Sequence, residues 1–553
     1  MSSPTTQAWG DVVDRPPVVL PHPVRMRVLG AVMVAVFLAA LDQTVVGTAL
    51  PRIITDLGGN DLYTWAFTAY LLTATISGPI YGKVSDLFGR RPVFMFGIGV
   101  FMLGSVLAGL SQEMWHLIAA RGIQGLGAGA IFPLAMATIA DLFSPSERGR
   151  YQGLFGAVFA LSSLLGPAVG GLITDTIGWP FVFYINIPVG LVVLFTIRRY
   201  LPAYHPAGER PRIDYFGAAL FTGALVPILV GLTNKQSADW TDPTVGGLIL
   251  LGLVILAGFV FVESRASEPI VPLGLFRNRA FAVSVGSVFL AAFGFFAAVV
   301  FLPRWFQVVN GSSATISGYQ MLPLLAGVIV TAVASGQIVA RTGRYRWLVF
   351  ASLVTTAVGL AMLTQLRADT PLPLLWGAML VTGLGVGPMF AVFPLIVQNS
   401  VPVQQIGSAV SNLSFFQQVG GTVGLAITGT VFATTLGQEV PAAVGSAGLP
   451  PEVGGALAAG AQGGGALDLT GVGDMGAAIL SSLPAEVRGL VEPYIPAIVD
   501  AIHNAFSIAT ASTFVIGIVS SLAAAGLVLL FREAPATVAE RGWDAETEEA
   551  AAA

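Results

Sequence analysis

The chain has 553 residues, 55% of them hydrophobic and only 10% charged, with a net charge of −4 and a mean hydropathy of +0.79. Ordinary soluble domains carry about 25% charged residues, so the composition excludes one and points to an all-α polytopic membrane protein. With no cysteine and four scattered histidines, disulfides, thiolate metal sites and histidine metal clusters are excluded.

A membrane-spanning helix needs about 20 apolar residues, and irregular backbone cannot face hydrocarbon. Fourteen runs qualify: 28–50, 63–82, 93–111, 114–140, 152–174, 181–200, 214–233, 244–262, 280–303, 317–339, 347–366, 372–397, 407–435 and 506–531. The polar, Pro-rich residues before the first run argue against a cleavable signal peptide.

Asp42 is the only charge in the first run. A carboxylate at that depth costs about 2.5–3.5 kcal/mol on insertion scales, so it is a candidate for handling a proton, an ion or a substrate charge. It lies about 13 Å inside Pro51 along a straight helix.

After the second run comes Gly82-Lys-Val-Ser-Asp86-Leu-Phe-Gly89-Arg90-Arg91. Glycine allows close helix approach and unusual backbone angles, and Asp86 suits a helix N-terminus or a nearby arginine. A purely topological basic loop would need neither the acid nor the glycines.

The fourth run holds Arg121-Gly-Ile-Gln124-Gly125-Leu-Gly127-Ala-Gly129. Its glycines thin the helix toward its neighbours. The stretch is not a phosphate-binding turn, because no strand precedes it. Arg121 lies about 9 Å inside Trp115, close to the depth of Asp42, so the two are expected to face one cavity. Snorkelling to the outer interface is the alternative. The fifth run carries Gly166-Pro167-Ala-Val-Gly170-Gly171. There Pro167 removes a backbone donor and bends the helix, and a simple packing kink would also account for the pattern.

The pattern then recurs. Gly82 and Gly336 open related stretches 254 residues apart, and GPAVGG at Gly166 has a relative, GGTVG, at Gly420, again 254 residues on. This divides the chain into a tail (1–27), a six-helix bundle (28–200), two inserted helices with flanking loops (201–279), a second six-helix bundle (280–531, with a long outer loop at 436–505) and an acidic tail (532–553). Parallel six-helix repeats place a substrate path at their interface, near the membrane midplane. With both termini cytoplasmic, inner segments hold 20 Lys and Arg and outer loops 5, as the positive-inside rule requires. The outer loop is rich in Gly, Ala and Pro. Its last part reads as an amphipathic helix, and the loop would act as a passive cap or in gating.

These motifs resemble those of the major facilitator superfamily. The 82–91 loop is similar to its signature G-x-L-A-D-R-x-G-R-K, with Leu87 in place of the first basic residue. The second copy, near Arg341 and Gly343, has Ala340 where the acid would stand. The resemblance implies a charge relay of Asp86, Arg90 and Asp141 that stabilises the outward-open state, with Gly82, Gly89, Gly166, Pro167, Gly170 and Gly171 as gating positions. Leu41-Asp42-Gln43-Thr44-Val45-Val46 is similar to the first-span motif of the fourteen-span drug:proton antiporters, with Gly47 replacing a family asparagine. GPAVGG is similar to the signature of proton-exchanging exporters.

The resemblance implies the major facilitator fold, two six-helix bundles plus two inserted helices, and proton-coupled efflux of hydrophobic or cationic compounds across the cytoplasmic membrane. Asp42 and Arg121 would couple protons. Tyr70, Gln124, Met321, Met389, Phe390, Asn412, Phe416 and Gln417 are candidates for the substrate cavity, although packing or lipid contact explains each singly. The positions 254 residues beyond Asp42 and Arg121 are Phe296 and Leu375, so the second half lacks ionisable counterparts. Export of an endogenous lipid or amphiphile is an alternative, and a non-transporting sensor a more remote one. The expected partners are small substrates, protons and membrane lipids, with a proton gradient as the energy source. No cofactor, metal, nucleic-acid partner or enzymatic activity is expected, and the chain is expected to be a monomer.

Overall fold

The computed structural model describes residues 20–58, 62–203, 213–235, 238–266, 268–446, 450, 475–482 and 485–531. Every regular element among them is helical. The acidic tail and most of the N-terminal tail lie outside the described residues.

The first half comprises α1 (His22–Leu57), α2 (Tyr63–Phe88), α3 (Arg90–Gly109), α4 (Met114–Leu142), α5 (Pro145–Thr176), the short α6 (Phe181–Tyr184) and α7 (Asn186–Tyr200). Helix α4 packs between α2 and α3, and α1 lies against α5 and α7. The glycines of α4 explain how it fits. A methyl group at Gly125 would overlap the Tyr70 carbonyl on α2, and one at Gly127 would overlap the Phe101 backbone on α3. Two residues along a helix turn the chain to another face, so alternate glycines serve alternate neighbours.

The second half holds α10 (Arg279–Val308), α11 (Ala314–Gln320), α12 (Leu322–Thr342), α13 (Arg346–Leu363), α14 (Leu372–Ser400), α15 (Ile406–Ser446), α16 (Met475–Ser482), α17 (Ala485–Val491) and α18 (Ile495–Val528). Helix α14 repeats the device of α4. Gly383 meets the Leu324 carbonyl of α12 and Gly385 the Thr356 backbone of α13. The two halves meet where α2 packs on α15 and α5 on α12.

Between the halves in sequence lie α8 (Tyr215–Asn234) and α9 (Leu248–Glu263). They pack on each other, and α8 touches α2 and α15. Phe221 of α8 stacks on Phe415 of α15 at 5.4 Å. Leu250, Leu253, Val254 and Phe261 of α9 are exposed, which suits contact with lipid. Side-chain caps start several helices. Asp214 accepts from Gly217 N at 2.7 Å, and Asn278 from Ala280 N at 2.9 Å. Gly89, at φ 89°, makes the turn between α2 and α3.

Twelve helices among the described residues are long and apolar enough to cross a membrane. The expected spans at 63–82 and 152–174 fall in α2 and α5, which are 26 and 32 residues long but are not among the twelve. Helix α15 continues past the expected end at 435 to Ser446. Ile479, Val491, Ile498 and Ile502 form a small apolar core with Val440 and Val444. Much of the described part of the expected outer loop is therefore helical, and its amphipathic last part is α17 and the start of α18; residues 451–474 of that loop lie outside the described residues.

Candidate functional site

Three helices, α3, α4 and α7, bring polar side chains around Asp42 of α1. Arg121, one helical turn before Gln124 on α4, donates from Nη1 to Asp42 Oδ2 and to Gln124 Oε1 at 2.6 Å. Gln124 Nε2 donates to Asp42 Oδ1 at 2.7 Å and to Ser105 Oγ of α3 at 2.8 Å. Asn186, the first residue of α7, donates to Asp42 Oδ1 at 2.9 Å and to Ser105 Oγ at 3.1 Å. Asp42 is 2% exposed, Asn186 1%, and Arg121, Gln124 and Ser105 0%.

A buried charge is tolerated only when paired and hydrogen-bonded. The carboxylate here accepts from three side chains. Arg121 Nε reaches the Ala66 carbonyl at 3.3 Å, and the guanidinium lies over the Tyr70 ring at 4.2 Å. Its Nη2 has no partner among the described residues. The structure thus joins Asp42 and Arg121, as their matched depths imply. It adds Asn186 and Ser105 to the pair. A paired amide beside a charge has no periodicity of its own.

A second cluster lies at the end carrying the 82–91 loop. Arg90 Nη1 donates to Asp86 Oδ1 at 2.6 Å, and Arg90 Nε donates to Asp141 Oδ2 at 2.9 Å. Asp86 also crosses to the other half, accepting from Gly407 N at 3.0 Å, Ser408 N at 2.6 Å and Ser408 Oγ at 2.7 Å. Gly407 and Ser408 begin α15, so the carboxylate caps a helix N-terminus, where negative charge is favoured. A methyl group at Gly82 would overlap Ser411 of α15. Arg148 Nη1 to Asn399 Oδ1 at 2.9 Å and Gln398 Nε2 to the Met136 carbonyl at 3.2 Å add further bonds between the halves.

The other expected gating positions divide. Gly166 and Gly170 face Thr44 and Thr48 of α1, where a methyl group would overlap the threonine hydroxyls, whereas Gly171 has nothing within 4 Å. Helix α5 runs through Pro167 without a break.

The expected cavity residues are scattered. Tyr70 is buried beneath Arg121, and its hydroxyl donates to the Ala39 carbonyl at 3.4 Å. Gln124 belongs to the Asp42 network. Asn412 is 0% exposed and donates to the Ser408 carbonyl of its own helix at 2.7 Å. Buried amides and hydroxyls need internal partners, and all three residues have at least one, while Asn412 Oδ1 has none among the described residues. Met321, Met389 and Phe390 are also buried, with Phe390 edge-on to Phe295 at 5.6 Å. Phe416 packs on Phe276 beside the inserted pair at 5.9 Å. Gln417 is half-buried, and its neighbour Gln418 accepts from Thr75 of α2 at 2.9 Å. In the second half, Leu375 is buried and Phe296 half-buried. The charged network has no apparent replica there among the described residues.

The Major Facilitator Superfamily model matches residues 32–425. The chain is similar to the "Multidrug transporter protein MdtP" of Bacillus subtilis, 38% identical over 75% of this chain and 76% of that one. It is also similar to "Multidrug resistance protein 3" of the same organism, 37% identical over 76% and 83%, and to the "Puromycin resistance protein pur8" of Streptomyces alboniger, 36% identical over 74% and 82%. The solved human organic anion transporter MFSD10 shares the fold at a TM-score of 0.56 and 17% identity, over 75% of this chain and 94% of that one.

Proposed function

The chain belongs to the Major Facilitator Superfamily, as a multi-pass membrane transporter and not an enzyme, and from that premise we propose that it exports hydrophobic or cationic compounds in exchange for protons. The observation that carries the reading is Asp42, an acid at membrane depth held by Arg121, Gln124 and Asn186. The printed names of the relatives, multidrug transporter and drug-resistance protein, support the substrate class.

In this reading a proton arriving from outside neutralises Asp42. The ion pair to Arg121 loses its charge attraction, and its hydrogen bonds redistribute to Gln124 and Asn186. This loosens α1 against α4. Substrate binding from the cytoplasm favours the carboxylate again, and the proton leaves inward. The Asp86 contacts with α15 close the inner face while the site opens outward, as alternating access between two repeats requires. The cytoplasmic membrane, with both termini inside, is the location that fits the Lys and Arg distribution.

The test is efflux of a lipophilic cationic dye from proteoliposomes under an imposed pH gradient. Wild type should extrude dye in proportion to the gradient, and Asp42→Asn should lose that dependence. Retention of gradient-driven efflux by Asp42→Asn would overturn the assignment.

A further inference from the structure

The end of the molecule closed by Asp86 holds a cavity of about 550 Å³ between the two halves. Glu147, Arg150 and Tyr151 of α5 line one wall, and Gln337, Ala340 and Arg341 of α12 the other. Glu147 is already committed. It accepts from Ser144 N at 3.2 Å at the start of α5 and pairs with Arg25 at 3.2 Å. Neither Arg150 nor Arg341 has a carboxylate partner among the described residues. Two arginines without an acidic partner, one from each half, therefore line one cleft, together with Tyr151 and Gln337.

The backbone sets how close they come. Gly149 of α5 and Gly336 of α12 cross so tightly that a methyl group on either would overlap the other's carbonyl. The cleft thus has both arginines only while α5 and α12 stay crossed. Exposed Leu154 and Ile338 lie about one turn further along each helix, toward the membrane interior, and would receive acyl chains.

We propose that this cleft binds a phosphate-class anion, supplied by the headgroup of an acidic membrane lipid, and that binding holds this end of the transporter closed. Guanidinium groups match phosphate oxygens in geometry as well as charge. Basic pockets between helices at the cytoplasmic surface suit acidic headgroups. A ligand that needs both halves together favours the closed arrangement over the open one by its differential affinity.

The chain has no cysteine, so spin labels can be placed at Ala203→Cys and Thr342→Cys, both exposed on opposite halves, in the full-length protein. Distances are measured in phosphatidylcholine vesicles, in the same vesicles with phosphatidylglycerol added, and in phosphatidylcholine with inorganic phosphate. Phosphatidylglycerol should raise the ratio of short to long distances by about tenfold, within the usual range of coupling between sites. Arg150→Gln with Arg341→Gln should abolish the rise, while the paired lysine substitutions keep part of it. Matching distances in phosphatidylcholine alone establish that the variants fold. No response to phosphatidylglycerol, or an unchanged response in the glutamine variant, would overturn the proposal. A full response to inorganic phosphate alone would uphold the anion site and overturn lipid as its source. The readout is a distance, so its failure is separable from failure of proton-driven export.

Discussion

Replacing Asp86 by asparagine removes one charge and little else, and the bonds it breaks lie mostly between the halves. The carboxylate accepts from Gly407 N, Ser408 N and Ser408 Oγ at 2.6–3.0 Å. Hydrogen bonds to a charged group contribute about 1.5–3 kcal/mol each, and a negative charge at a helix N-terminus about 0.3–1 kcal/mol. Asparagine keeps one acceptor oxygen but turns an NH2 toward the remaining donors. The net loss to the closed arrangement is then about 2–4 kcal/mol, or roughly 30- to 700-fold in the closed-to-open ratio at 1.4 kcal/mol per tenfold. Ser411, 0% exposed where Gly82 meets α15, provides the reporter. With Ser411→Cys as the single thiol, labelling by an impermeant maleimide applied from the Asp86 side is slow in the parent. Asp86→Asn should speed it by that factor, up to the rate of a free cysteine. An unchanged labelling rate would refute the claim that Asp86 holds this end shut.

Asn186→Ala removes one of the donors to Asp42 and one of those to Ser105; thermal unfolding in detergent should register a loss of about 1–3 kcal/mol, and an unaltered melting temperature would remove Asn186 from the network. Gly127→Val drives a branched side chain into the Phe101 backbone and should lower stability by at least about 1–3 kcal/mol, seen as lost folded yield on size exclusion. Gly171→Ala, with nothing within 4 Å, should do the reverse, gaining up to about 1 kcal/mol from helix propensity; a destabilised protein would show that Gly171 has a packing role after all. The Lys83–Glu268 pair at 2.6 Å joins α2 to the segment before α10 but is partly exposed. A double-mutant cycle with alanine should give a coupling below about 1 kcal/mol, falling with salt; a larger, salt-insensitive value would mark it as a structural lock.

Much of the deep site was readable because charge in a hydrophobic run is rare. Asp42 and Arg121 stood out singly, and counting residues from Pro51 and Trp115 placed them at one depth. The loop motif was readable for a related reason: an acid and two glycines have no use in a loop that only needs positive charge. What stayed hidden depends on which faces meet. Ser105 and Asn186 become partners only when α7 packs against both α3 and α1. Tyr70, Gln124 and Asn412 look like free polar groups in sequence, and only the packed helices show the bonds they make. The repeat between Gly125-Leu-Gly127-Ala-Gly129 and Gly383-Leu-Gly385-Val-Gly387 was present but masked, since its 258-residue step differs from the 254 of the other motifs.

Helix α15 begins at the Asp86 contact and ends in the small apolar core beyond the opposite face. Its 41 residues make a rod of about 61 Å, twice the thickness of the hydrocarbon layer at about 30 Å. Pivoting at Gly407, such a lever moves its far tip by about 1 Å for each degree of tilt. A binder gripping the α15–α18 knob from outside would therefore pull on the inner latch without ever entering the membrane, and an antibody raised to that knob would act as a mechanical handle on the transport cycle.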